Sequence, residues 1–316
     1  FILYFEAGSY FDLNSTAANL LCEVFRNISG FINSPLTTTG VKLNIYCGNN
    51  PNSIPGAVLA AASSFYLYPY NPVNPNQGFL FNQIQKGIIS GTDPFSNLPI
   101  SVFSGASNFY SGYVTVNPTA SWHLNIATST ISPTSNDLYS TMLHEVTHAL
   151  GFASLISNTG VSQLGVNNNY FSVYDKFLHN AAGLPLLGTA ASICGSNNYS
   201  FQALATAISP SACSGGGSDL TTCSVAAQYS STSVTSKVYT PFCWEQGSSL
   251  SHFEDICSTP PSFTTSCTAS PANNNLYYVM SNANSTGDCY VKRHLTPEER
   301  FVLCDLGYSV SNTYTS

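Results

Sequence analysis

The stretch His144-Glu145-Val146-Thr147-His148 constrains this chain more than any other part of it. It lies in a segment from Asn136 to Leu150 that reads as a helix, with Ser135 or Asn136 as cap, Asp137 complementing the helix dipole at its start, and Gly151 as the terminating residue. Residues four apart on a helix share one face, so the two imidazoles project side by side. A carboxylate placed between them has no structural reason to sit on a buried face without a charge partner.

Neutral imidazole nitrogens ligate Zn²⁺, and a catalytic zinc keeps its fourth position open for water. The metal lowers the pKa of that water to about 7. Glu145, beside the first ligand, is placed to take the water's proton and deliver it to a leaving group. The expected cofactor is therefore one catalytic Zn²⁺ on His144 and His148, with Glu145 as general base and acid.

A third ligand is needed, and spacing alone leaves it open. The compact pattern HExxHxxGxxH would put a His at position 154, where this chain has Ser154. Asp175, in Tyr174-Asp175-Lys176, is the carboxylate candidate; His179, His252 and His294 are the imidazole candidates. His123 falls on an expected strand, half-exposed.

Charged residues make up 7% of the 316 positions, with 8 Lys and Arg and a net charge of −7. Without a basic run, nucleic-acid binding by counterion release is excluded. The 10 cysteines are an even set without a CxxC pair, which points to disulfides and an extracellular, secreted or cell-surface setting. Sequons at Asn14, Asn27, Asn198 and Asn284 are candidate glycosylation sites and agree with that setting. No stretch approaches the length of a transmembrane segment. The chain opens at Phe1 with a strand-like run, as expected of a mature product whose targeting segment or prosegment has been removed; a lipid-anchor signal could have been lost likewise.

The expected fold class is α+β. Residues 1–151 form an N-terminal lobe, a mixed twisted sheet with the His-bearing helix. Strands are expected at 1–6, 41–47, 99–103, 113–117 and 122–126, and a helix at 14–32 opened by Ser15 or Thr16. Residues 152–251 are a Cys/Ser/Gly-rich insertion rather than a regular domain, with helical pattern near 174–178 and 201–208. Residues 252–316 form a C-terminal lobe, irregular and disulfide-rich like the insertion. It closes on a helix with the capping box Thr296-Pro297-Glu298-Glu299 and a docking face of Phe301, Val302 and Leu306. Cys22 with Cys47 and Cys289 with Cys304 are the expected bridges.

The segment LHEVTHALGF (Leu143 to Phe152) resembles the leishmanolysins, zinc metallopeptidases of the metzincin clan. In that family a long insertion separates the glycine turn from the third His. The resemblance implies that GSSLSHFED (Gly247 to Asp255) carries the third ligand, His252, and that Met280 forms the Met-turn beneath the metal. HLTPEERFVLCDLGY (His294 to Tyr308) resembles the family's closing helix. It also implies a metzincin-like fold, protein or peptide substrates, and a cleft bordered by an edge strand, expected at Tyr110 to Asn117, on which substrate pairs. The reading that follows is a zinc-dependent endopeptidase. The alternatives are a catalytically inactive surface or scaffold glycoprotein on the same fold, which the intact Glu145 argues against, and a zinc amidase acting on a glycan or lipid.

Overall fold

In the stretch Asn44–Asn49, Ile45 and Cys47 are buried between half-exposed neighbours, the alternation of a strand with one face on a core. The computed structural model describes residues 1–49, 58–67, 78–95, 109–128, 130–164, 170–191, 197–201, 227–241, 244–254, 278–282 and 291–311. Its elements are β1 (Ile2–Phe5), α1 (Ser15–Phe31), β2 (Asn44–Asn49), β3 (Ala60–Ser64), α2 (Gln83–Ser90), β4 (Gly112–Val116) and α3 (Leu138–Ala149), followed by β5 (Leu178–Asn180), β6 (Ala227–Ser230), β7 (Thr235–Val238) and α4 (Pro297–Asp305). The architecture is α+β with open sheets.

The main sheet has the order β1-β2-β4-β3. The first three strands are parallel, with Ile2 opposite Asn44 and Ile45 opposite Gly112. β3 runs antiparallel to β4, with Ala60 opposite Val116. Segment 110–117 was expected at the sheet edge; instead β4 is interior and, among the described residues, β3 is the edge. The reason is compositional: Val114 and Val116 are fully buried and demand neighbours on both sides, whereas Ala-Ala-Ala-Ser-Ser tolerates an edge.

α1 buries Leu20, Leu21, Val24, Phe25, Ile28 and Phe31 on one stripe, each worth about 1.5–3 kcal/mol of apolar burial. Its cap is Asn14, whose side chain accepts the N–H of Ala17, rather than Ser15 or Thr16. The chain end returns to this helix: Ser309–Val310 pairs antiparallel with Ile32–Asn33.

Several expectations change. The pair Trp122–His123 is all that forms of the 122–126 strand, and it lies parallel to Asn136–Asp137. Tyr174–Phe177 is a single 3₁₀ turn. The 152–251 section contains a regular antiparallel sheet, β5-β6-β7. On α4, Phe301 is exposed, and Leu303 joins Val302 and Leu306 in the core. The Cys22–Cys47 bridge is not formed: both are free thiols, as is the exposed Cys304. Cys47 is buried and its thiol contacts Ile45 O at 3.7 Å; burial first, then the neighbouring Cys22, raises its pKa. Cys289, the other six cysteines, the 99–103 strand, nearly all of the 201–208 helix and Asn284 lie outside the described residues. One cluster of buried apolar side chains runs from Phe11 to Tyr308 through all three sections.

Candidate metal centre

α3 is fixed at both ends before it presents any chemistry. Asp137 itself is its cap, accepting from Ser140 N at 3.1 Å and Ser140 Oγ at 2.6 Å. The same carboxylate takes a two-pronged bond from Arg293, at 3.0 and 2.9 Å, so the C-terminal section holds the helix start. At the other end Asn82 Nδ2 donates to Ala149 O and the Tyr308 hydroxyl to Leu150 O, satisfying carbonyls the helix leaves over. Gly151 follows with φ +97°, as a terminating glycine should.

His144 and His148 face one cleft from consecutive turns of α3, and His252 reaches the same point from the loop after β7. Their Nε2 atoms form a triangle with edges of 3.1, 3.0 and 3.2 Å. Each Nδ1–H donates to a backbone carbonyl: His144 to Val279 O at 2.6 Å, His148 to Phe152 O at 2.7 Å, His252 to Ser248 O at 2.8 Å. That fixes the tautomer and leaves three Nε2 lone pairs converging. Burial, the mutual proximity of the rings and nearby positive charge hold the imidazoles neutral: His144 well below its usual pKa, His148 at about 4 by burial, and His252 at about 3 by burial and then by His148.

Three unprotonated nitrogens this close repel one another unless a cation lies between them. The donor set is close enough to hold a metal ion. An ideal tetrahedral ion with bonds of about 2.0–2.1 Å separates its ligand nitrogens by about 3.3 Å, close to the observed triangle.

Glu145 lines the same cleft as the three imidazoles. Its Oε2 accepts the backbone N–H of Ala62, on edge strand β3, at 3.1 Å. Burial lifts its pKa to about 8, against the lowering effect of that bond. The cleft, about 800 Å³, is lined by β3, the triad, Glu145, Ser154, Glu245 and Asn282 among others.

Met280 is fully buried in a turn behind the triad, and Val279 O in that turn is the acceptor for His144. Leu250, two residues before His252, has φ +66°, a conformation that costs a non-glycine residue energy and that the packed loop imposes.

The remaining candidates are placed elsewhere. Asp175 is buried away from the triad and accepts from Ser154 Oγ, Leu155 N, Ser172 N and Ser172 Oγ. Ser154 in turn donates its N–H to Ser251 Oγ, tying the post-helix loop to the residue before His252. His179 bonds Phe177 O and His123 bonds Asn125 O, while His294 is exposed. Asn27 donates its Nδ2, the atom a glycan would occupy, to the Tyr139 hydroxyl at 2.7 Å. Asn14 spends its Oδ1 on the α1 cap, and Asn198 lies on a strand pairing Asn197–Phe201 with Leu187–Ala191.

The edge strand and its bond to Glu145 escaped sequence reasoning; a short small-residue run before a helix is too weak a signal to single out. Comparison of the chain with family models, curated proteins and solved structures gave no match.

Proposed function

We propose that the chain is a zinc-dependent endopeptidase with a metzincin-like fold, related in design to the leishmanolysins and working outside the cytosol. The observation that carries this reading is the triangle of Nε2 atoms from His144, His148 and His252, with Glu145 alongside. Three neutral imidazoles and an open side suit zinc. Zinc held there supplies a Lewis acid for the peptide carbonyl and activates water.

The chain's own groups do the rest. An extended substrate lies along edge strand β3, whose outward backbone groups pair with it. A cation beside Glu145 favours its charged form over the neutral one that burial alone prefers. Glu145 then takes a proton from water as the oxygen–carbon bond forms. It hands that proton to the leaving nitrogen as the carbon–nitrogen bond breaks. Ala62 N–H keeps Oε2 directed during both transfers.

The test is metal content by mass spectrometry together with cleavage of a quenched-fluorescent peptide library. One zinc per chain is expected, with cleavage abolished by 1,10-phenanthroline and restored by added zinc. Stoichiometric zinc with no cleavage of any peptide would sink the endopeptidase and favour the inactive scaffold or the amidase, and a chain that binds no divalent metal would sink every zinc-enzyme reading.

A further inference from the structure

Glu299 is completely buried, and its part in the capping box uses only one of its two oxygens. Oε2 accepts the N–H of Thr296 at 2.7 Å, closing the box at the start of α4. Oε1 accepts the backbone N–H of Met280 at 2.6 Å.

That second bond falls on an informative peptide unit. The N–H of Met280 and the C=O of Val279 belong to one planar amide, so fixing one fixes the direction of the other. The Val279 carbonyl is the acceptor for His144 Nδ1–H at 2.6 Å. The amide is thus clamped between a carboxylate and an imidazole. The flanking units are pinned as well: Lys292 Nζ donates to Tyr278 O at 2.6 Å, and Phe253 N donates to Met280 O at 2.7 Å. Phe253 directly follows His252.

We propose that Glu299 is a positioning residue of the metal centre, acting through the Val279–Met280 peptide to aim His144 and, through Met280 O, to hold the backbone next to His252. The proposal rests on the reading that the three imidazoles hold a metal ion. A carboxylate bonded directly to a ligating histidine orients the ring and raises its basicity. Here the carboxylate is one amide further out, and the aligned hydrogen bonds polarise one another along the chain carboxylate, amide, imidazole. A helix cap alone would not require the contact to Met280.

The test uses the full chain as Glu299→Gln, Glu299→Asp and Thr296→Ala. The amide of Gln has one acceptor for two N–H groups, and Asp keeps the charge but is one methylene too short to span both. Thr296→Ala removes the cap's hydroxyl and leaves Glu299 on Met280. Zinc affinity is measured by competition with a chelating dye, and the cobalt(II)-loaded proteins are compared by visible absorption. Both Glu299 variants are expected to bind zinc at least about tenfold more weakly and to show altered cobalt bands, with Thr296→Ala within about twofold of the parent. If Glu299→Gln does not fold, Glu299→Asp decides; if neither folds, Glu299 is structural and the proposal falls. Affinities within twofold of the parent, or an equal loss in Thr296→Ala, would overturn it while the metal reading stands. A parent that binds neither ion overturns both.

Discussion

Ala62 donates its backbone N–H to Oε2 of Glu145 at 3.1 Å, so the edge of the sheet steers the carboxylate beside the three imidazoles. This N–H points away from β4 and takes no part in the ladder, which makes it removable. Ala62→Pro deletes the donor at a position where an edge strand tolerates proline. A hydrogen bond to a charged group is worth about 1.5–3 kcal/mol, so kcat/KM for peptide cleavage should fall by about 10- to 100-fold. Metal content should stay at the parent level. An unchanged rate in a folded, metal-loaded protein would remove Ala62 from the mechanism.

Glu145→Gln separates proton transfer from metal binding. The amide oxygen still accepts from Ala62, and no ligand is lost. Loss of a general base costs about 10²–10⁴ in rate, and the zinc content should be unaffected. His252→Ala should instead lose the metal itself. A Glu145→Gln protein that cleaves at the parent rate would show that another group moves the proton.

The helix that carries His144 and His148 was legible because its signals are local: a motif, helical spacing and a terminating glycine fall within sixteen residues of one another. The capping box at Thr296 was legible for the same reason. What resisted was anything set by partners distant in sequence. Ala60–Ser64 has little strand propensity and becomes a strand because β4 offers it a ladder. Asp137 looked like a residue favouring the helix dipole and is the cap, because Arg293 and Ser140 both converge on it. Phe301 looked like part of a buried stripe, yet the short α4 turns Leu303 inward instead. The meeting of His252 with the pair on α3 could be expected only through resemblance, since no periodicity spans the intervening chain.

Gly151 should not accept a side chain. Its φ of +97° is left-handed, and a Cβ there would lie 2.5 Å from the Gln85 side chain. The Gln85 side chain is buried and its Oε1 accepts the N–H of Asn82 at 3.0 Å, so it has little room to yield. Gly151→Ala should therefore cost about 1–3 kcal/mol, read as a lower midpoint in urea unfolding. Because Phe152 O holds His148, zinc should also dissociate faster. A variant as stable as the parent would mean that the loop relaxes freely.

Asp175 gives a pH dependence that can be isolated by difference. Its carboxyl is fully buried, and burial raises its pKa from 3.8 to about 6 despite the bonds from Ser154, Leu155 and Ser172, which pull the other way. A carboxyl whose folded pKa is raised binds its proton more tightly in the native state than in the unfolded chain. The stability it contributes is whole below pH about 4 and is lost as pH rises through about 6. Asparagine is neutral throughout, so in Asp175→Asn this dependence is absent. The triad imidazoles and Glu145 titrate in both proteins and cancel in the comparison. The unfolding free energy of the parent minus that of Asp175→Asn should therefore fall by up to about 3 kcal/mol between pH 4 and pH 7. Urea unfolding of both metal-free proteins at several pH values measures it. A difference that grows with pH would mean that the four donors around Asp175 outweigh its burial, and that the loop carrying Ser154 is held by a charged carboxylate.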